Sequence, residues 1–148
     1  MWLSKNSGVL IPMAIRRARG SLPQTTQSPL FRVVGRVMIT MIIGKVTTAI
    51  QDQTDNAKLV SNPSVGGDVD LCAVLDIAND GIGTSYNITG TFTDAMVATT
   101  SGAFTSQESA FIINEGTIDL DCSASNTGEI EWILHYIPVE PGSYVTSI

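Results

Sequence analysis

The final stretch of the chain carries the clearest alternation of apolar and polar positions. From Asn126 to Val145 (NTGEIEWILHYIPVEPGSYV), a turn precedes an alternating run that a proline ends. The apolar even positions of this run are Ile130, Trp132, Leu134 and Tyr136. The odd positions begin polar at Glu129 and become apolar at Ile133 and Ile137, with His135 between them. A period of two predicts a core strand, and a second apolar face predicts contact with another sheet or subunit.

A similar pattern runs from residue 30 to residue 51, where β-branched residues are frequent. Apolar odd positions predict one long strand with a buried side made of Phe31, Val33, Val37, Ile39, Met41 and Ile43. The even positions begin with two arginines and become apolar at Met38 and Ile42. A helix over Val37 to Ile43 is the alternative. The two glycines of the stretch suit a bend or bulge in a strand better than a helix interior.

Shorter alternating runs follow between turn signals. They predict further strands within residues 68–77, 85–92, 95–100 and 111–122. In the last of these runs, Ile118 and Leu120 are expected to face inward, and Asp119 and Asp121 to lie on the solvated side. Many short strands and the lack of a long helical pattern predict an all-β, two-sheet sandwich of the jelly-roll kind.

The first 29 residues lack any sustained period and contain three prolines. They predict an extended N-terminal arm before a β-sandwich body at residues 30–148, with a short helical turn around Met13 to Arg19 as an alternative. Fixing the backbone of such an arm costs roughly 1–2 kcal/mol per residue, whereas a surface ion pair returns only about 0.2–1 kcal/mol. Burial of apolar residues such as Trp2, Leu3 and Ile11 must therefore contribute, and we expect the arm to order on assembly.

Charge divides along the chain in the same way. Residues 1–51 hold seven of the eight Lys and Arg and no acid, whereas residues 52–148 hold all fourteen acids and only Lys58, a net charge of −13. The basic arm, with Arg16, Arg17 and Arg19, is expected to dock on an acidic surface of a neighbouring copy or another partner. A solvated basic segment without a partner is the alternative.

Residues that carry chemistry are sparse. Cys72 and Cys122 are expected to be free thiols, since two cysteines do not form a disulfide framework. The single histidine, His135, has no neighbouring nucleophile motif and is interpreted as an interface residue rather than a general base. The turn containing Asp76 and Asp80 lacks the spacing of a calcium loop. The sequence thus predicts no enzyme, no cofactor, no metal and no small-molecule substrate.

Membrane and nucleic-acid partners are not expected either. The apolar run from Val37 to Ile43 is far too short to cross a bilayer. The body offers no basic patch along which a phosphate backbone could lie, so genome contact would depend on the arm alone.

Four segments together resemble a group of small tailed-bacteriophage virion proteins. These segments are GRVMITMIIGKVTTAI, DVDLCAVLDI, SYNITGTF and GTIDLDCSASNTGEIEWILHYIPVEPGSYV. The resemblance covers residues 30–145 and includes an alternating strand with Trp and Tyr that ends in proline, a short acidic segment and glycine. The second proline of the ending, Pro141, departs from the usual pattern. The resemblance implies a virion location at the capsid surface, as a decoration or cement protein that binds the major capsid protein and forms a homotrimer.

The residues expected at interfaces follow from that role. They are Trp2, Leu3, Ile11, Met13, Arg16, Arg17, Arg19, Met38, Ile42, Ile133, His135 and Ile137. Deletion of residues 1–29 is expected to abolish capsid binding and to leave the body folded. A head-fibre or tail-associated receptor-binding module is the alternative function, because sandwiches with polar loops also bind carbohydrate.

Overall fold

The computed structural model of the chain describes residues 10–148. This range forms two six-stranded sheets and contains no helix. The strands are β1 Met13–Ser21, β2 Gln27–Val34, β3 Val37–Thr48, β4 Asn56–Pro63, β5 Val69–Asp70, β6 Leu75–Asp76, β7 Ser85–Asn87, β8 Val97–Thr99, β9 Phe111–Ile113, β10 Gly116–Cys122, β11 Glu129–Pro138 and β12 Tyr144–Ser147.

The first sheet has the strand order β1-β11-β3-β7-β8, with β9 also paired to β3. The second sheet has the order β12-β2-β10-β4-β5, with β6 also paired to β4. All of these strand pairs are antiparallel. The predicted all-β, two-sheet sandwich is confirmed.

One continuous hydrophobic core fills the sandwich, and its largest side chain is Trp132 on β11. The indole ring stacks on the Tyr86 ring, with ring centroids 6.5 Å apart. It also lies against the backbone of β3 at Gly44, where a Cβ atom would stand 2.7 Å from the ring. Glycine at position 44 therefore makes room for the tryptophan.

Strand β11 has the alternation that its sequence predicts. Ile130, Trp132, Leu134 and Tyr136 are buried, and the odd positions between them face away from the core. Pro138 ends the strand. β11 pairs with β3 on one side and with β1 on the other, so it lies inside the first sheet.

The single strand predicted between residues 30 and 51 is wrong in two respects. Gly35 has a positive φ of 73°, a conformation that favours glycine, and there the chain leaves β2 in the second sheet and enters β3 in the first. Within β3, Thr40 is an extra residue opposite the junction of His135 and Tyr136, which makes a β-bulge. The bulge reverses which positions point inward.

Because of this bulge, one residue predicted at the interface lies in the core instead. Ile42 is 1% exposed and lies opposite Leu134 in the core, so its side chain cannot meet a partner. Met41 and Ile43 take the outward positions instead. A residue-by-residue alternation cannot reveal such a reversal, because one inserted residue leaves the local composition unchanged.

The proposed arm is shorter than the sequence suggests. Met13–Ser21 is strand β1, not a helical turn, and it pairs with β11 of the same chain. The expected boundary after Pro29 falls inside β2. Trp2 and Leu3 lie outside the described residues. Strand formation at β1 follows from alternate residues Met13 and Ile15, which pack against the core.

Two further expectations need correction. The strand predicted over residues 68–77 is reduced to the two-residue strands β5 and β6, and Val69 is 46% exposed whereas Cys72 is buried. Ile118, Leu120 and Cys122 do face inward, as predicted. Asp119, expected on the solvated side, is 2% exposed, because neighbouring polar side chains cover it.

Candidate interaction surface

The outer face of the first sheet is apolar along its two central strands. Side chains that stand opposite each other in an antiparallel pair share one face of the sheet, and Ile133 and Ile137 of β11 stand opposite Ile43 and Met38 of β3. We call Met38, Met41, Ile43, Ile133 and Ile137 the apolar face; all five are half-buried. Ile112, 52% exposed and paired with Met38, extends this face onto β9.

Charged residues border the apolar face around Ile133, which stands opposite Arg16 of β1. Arg16 of β1 forms an ion pair with Glu131 of β11 across 2.7 Å, and the Arg16 side chain is 60% exposed. Lys45 of β3 stands opposite Glu131 on the other side and is exposed. The arrangement resembles an interface with an apolar centre and a polar rim.

His135 lies within the apolar face and is exposed. The residues opposite it are Ala14 on β1 and Met41 on β3. Neither neighbour can exchange a proton with an imidazole or act as a nucleophile. The interface role predicted for His135 remains a prediction.

The arginines of the N-terminal region do not form a single patch. Arg16 points outward, whereas Arg17 stands opposite Trp132 on the inner side and donates from Nε to the Ile148 carbonyl oxygen at 3.3 Å. Burial lowers the pKa of Arg17. Arg19 lies at a register shift of β1 and is exposed, and Ile11, just before the strand, is half-buried.

The outer face of the second sheet is polar. Asp119 accepts hydrogen bonds from Gln27 Nε2 at 2.8 Å and from Asn62 Nδ2 at 3.2 Å. Lys58 forms an ion pair with Asp70 across 3.0 Å. We call Gln27, Lys58, Asn62, Asp70 and Asp119 the polar face, which satisfies most of its hydrogen-bonding groups internally.

The titratable groups in the interior are shielded from solvent. Burial raises the pKa of the Cys72 and Cys122 thiols, and for Cys122 the nearby Asp55 carboxyl adds to the effect. Both cysteines are free, as predicted. Burial raises the pKa of Tyr86 as well, and its hydroxyl donates to Asp80 at 2.5 Å. Buried thiols with raised pKa values are poor nucleophiles.

An open cleft of about 500 Å³ lies at one end of the sandwich. Its lining residues are Gly35, Arg36, Ser64, Val65, Asn114, Glu115 and Glu140. Arg36 Nε donates to Asn114 Oδ1 at 3.1 Å, and the Gly35 amide donates to Glu115 Oε1 at 2.9 Å. None of the lining side chains is aromatic, so the cleft offers no surface on which a sugar ring could stack.

Within residues 10–148, no group of three or more His, Cys, Asp or Glu side chains is placed to hold a metal ion. The same range contains no helix of the length and hydrophobicity that crossing a membrane requires.

The structure brings together five of the predicted interface residues, Arg16, Met38, Ile133, His135 and Ile137, on one surface. Sequence reasoning missed Met41 and Ile43, which complete that surface, because the bulge at Thr40 hides them. Comparisons of the chain with protein-family models, curated proteins and solved structures found no match.

Proposed function

We propose that this chain is a capsid decoration, or cement, protein of a tailed bacteriophage. In this proposal it binds the major capsid protein lattice as a homotrimer, and the copies associate through the apolar face. The observation that carries the proposal is the apolar face itself. The resemblance of residues 30–145 to small virion proteins supports the location in a virion.

An antiparallel sheet that faces water on one side normally alternates between buried apolar and solvated polar positions. Strands β3 and β11 depart from this rule, since Ile43, Ile133 and Ile137 make the outer side of this strand pair apolar as well. Full burial of one such side chain contributes roughly 1.5–3 kcal/mol relative to exposure. A contiguous apolar surface whose side chains are only half-buried in one chain supports its use as a protein interface.

The residues that precede β1 can supply a contact with the shell. Met13 begins β1 opposite Tyr136, near the end of β11, so the preceding segment starts at the open edge of the first sheet. That edge borders the apolar face. In this proposal, the segment that precedes β1 reaches a neighbouring subunit of the shell.

Substitution of Ile133 by Asp tests the self-association. The variant replaces an apolar side chain of the apolar face by a carboxylate, so we expect the oligomer to dissociate to a 15.7 kDa chain by multi-angle light scattering. Thr146, exposed on the outer side of the second sheet, provides the matched control as Thr146→Asp. An unchanged oligomer mass for Ile133→Asp would refute this use of the apolar face.

Capsid binding is tested by co-sedimentation with capsids that lack the protein. Deletion of residues 1–29 is unsuitable, since it would remove β1 and the start of β2. Deletion of residues 2–12 leaves every described strand in place, and we expect it to abolish co-sedimentation while the circular dichroism spectrum is retained. Unimpaired binding would show that this segment has no role in docking, and absence of binding by the intact protein would refute the cement function.

A further inference from the structure

Strand β1 lies at the edge of the first sheet and pairs with a single neighbouring strand. Among the described strands it pairs with β11 alone, at the end of the first sheet. Only Met13 and Ile15 of this strand pack against the core, and both remain partly exposed. The segment 22–26 is its connection to β2.

This connecting segment is strained. Thr25 has a φ of 55°, and a β-branched residue in the left-handed region is a true outlier. The Thr25 amide donates to the Ala124 carbonyl at 3.3 Å, and its hydroxyl hydrogen-bonds to Ser125 at 2.7 Å. Pro23, buried in the same segment, fixes its own backbone dihedral. A short connection under strain favours exchange of the element that it carries.

Pairing of β1 also places a charged group in an unfavourable position. Arg17 points inward opposite Trp132, and within the structure its guanidinium donates to one carbonyl oxygen, that of Ile148. Desolvation of a guanidinium costs free energy that a single long hydrogen bond offsets only in part. β1 therefore detaches from β11 more easily than an apolar edge strand would, which lowers the barrier to exchange without favouring either form.

We propose that β1 is exchanged between copies, so that Met13–Ser21 of one chain pairs with β11 of a neighbouring chain. The inference rests on the self-association proposed above and specifies how the copies are joined. Every contact between β1 and β11, together with the core position of Leu22 that follows β1, is reproduced between chains, and the segment 23–26 extends. Thr25 then leaves the left-handed region. Passing each β1 to the next chain closes a ring of three.

A pair of cysteines reports which chain supplies β1. Ser21 and Glu129 stand opposite each other on β1 and β11, outside the apolar face. Opposed residues in an antiparallel pair have Cα atoms about 4.5–5.5 Å apart, a separation that a disulfide spans. Cys72 and Cys122 are 1% and 2% exposed, so they are protected from mild oxidation.

The experiment oxidises the purified Ser21→Cys, Glu129→Cys variant and separates the products by non-reducing denaturing electrophoresis. We expect covalent multimers up to a trimer, and no such series from either single variant. A single-chain product with an internal disulfide, from protein that light scattering shows to be oligomeric, would overturn the exchange and leave the proposed self-association standing. Protein that is monomeric by light scattering would overturn both.

A hinge variant provides an independent test. Glycine adopts a positive φ without strain. Thr25→Gly in the double-cysteine variant therefore removes the backbone strain from the form in which β1 pairs with β11 of its own chain. We expect the ratio of single-chain to multimeric product to rise by about tenfold. Thr25→Ala removes the hydroxyl and keeps Cβ, and therefore should not increase the single-chain product. An unchanged ratio in Thr25→Gly would contradict the role of hinge strain.

Discussion

The two outer faces of this sandwich differ in how their side chains are covered. On the second sheet, Asp119 is buried under Gln27 and Asn62, whose amides donate to its carboxylate. On the first sheet, Ile133 and Ile43 stand side by side and are half-buried, with Arg16 opposite Ile133 and Asn87 opposite Ile43. The second sheet thus covers a buried carboxylate with its own amides, whereas the first sheet presents partly exposed apolar side chains.

An apolar outer face is stronger evidence of association than an acidic outer face. Carboxylates at a surface are solvated or paired locally, as in the Lys58–Asp70 pair, and they need no partner. Apolar side chains can leave water only by contact with another apolar surface. The division of the sequence into a basic and an acidic half is therefore weaker evidence of association than the few apolar residues around Ile133.

The largest loss of stability is expected when Asp119 of the polar face is replaced. Asp119→Ala removes the charged acceptor that the Gln27 and Asn62 amides share, so two charge-assisted hydrogen bonds are lost. We expect a loss of about 2–3 kcal/mol in the free energy of unfolding, measured by urea denaturation. Asp121→Ala, two residues along the same face, is the control and should stay within about 0.5 kcal/mol. Equal losses for both variants would mean that general charge, and not this network, stabilises the face.

A change in the apolar face should act on association more than on folding. Ile137→Thr removes apolar area from a half-buried position, so we expect the free energy of unfolding of the monomer to fall by less than about 1 kcal/mol. The oligomer dissociation constant should rise about tenfold, or about 1.4 kcal/mol, in analytical ultracentrifugation. Ile137→Leu preserves the apolar surface and should retain assembly. A larger effect on the monomer than on the oligomer would place Ile137 in the core instead.

Asp55 contrasts with Asp119, because no side-chain amide covers it. Burial raises the pKa of Asp55; hydrogen bonds from Ala124 and Ser123 oppose this shift, whereas the Asp76 carboxylate adds to it. The folded state then holds a proton that the unfolded state loses near pH 4, so stability falls as pH rises above about 4 toward the raised pKa.

Asp55→Asn should remove this part of the pH dependence, since the asparagine oxygen still accepts from the Ala124 amide. Urea denaturation across the range from pH 4 to neutrality provides the measurement. A curve for the variant that falls as steeply as that of the original protein would assign the pH dependence to other groups.

The smallest effect is expected at the ion pair of the polar face. Lys58 and Asp70 have side chains that are 25% and 53% exposed, and exposed pairs contribute about 0–1 kcal/mol. Lys58→Met should change the free energy of unfolding by about 0.5 kcal/mol or less, with little dependence on salt. A loss well above 1 kcal/mol would indicate that ion pairs, rather than amide donors, stabilise this face.

The strands predicted with greatest accuracy are those with a simple period. β11 alternates without interruption from Ile130 to Tyr136, and its buried and exposed sides follow the sequence. The inward residues Ile118, Leu120 and Cys122 of β10 were predicted for the same reason. A period of two is a local property, so the sequence alone reveals it.

Features that depend on distant residues were not predictable. The bulge at Thr40 is defined by its partner strand, to which the Thr40 hydroxyl donates at the His135 carbonyl. Burial of Asp119 depends on Gln27 and Asn62, which are distant in sequence. β1 was missed because its pairing partner, β11, lies more than one hundred residues away.

The back-to-back arrangement of the sheets also controls what an assembly displays. Gly35 and Arg36 connect one sheet to the other. Because the two sheets pack face to face, the apolar face and the polar face point in opposite directions. Copies joined through Ile133 would all turn their Asp68 and Asp70 carboxylates away from the junction. Such an assembly would display these carboxylates at its periphery and would attract cations there.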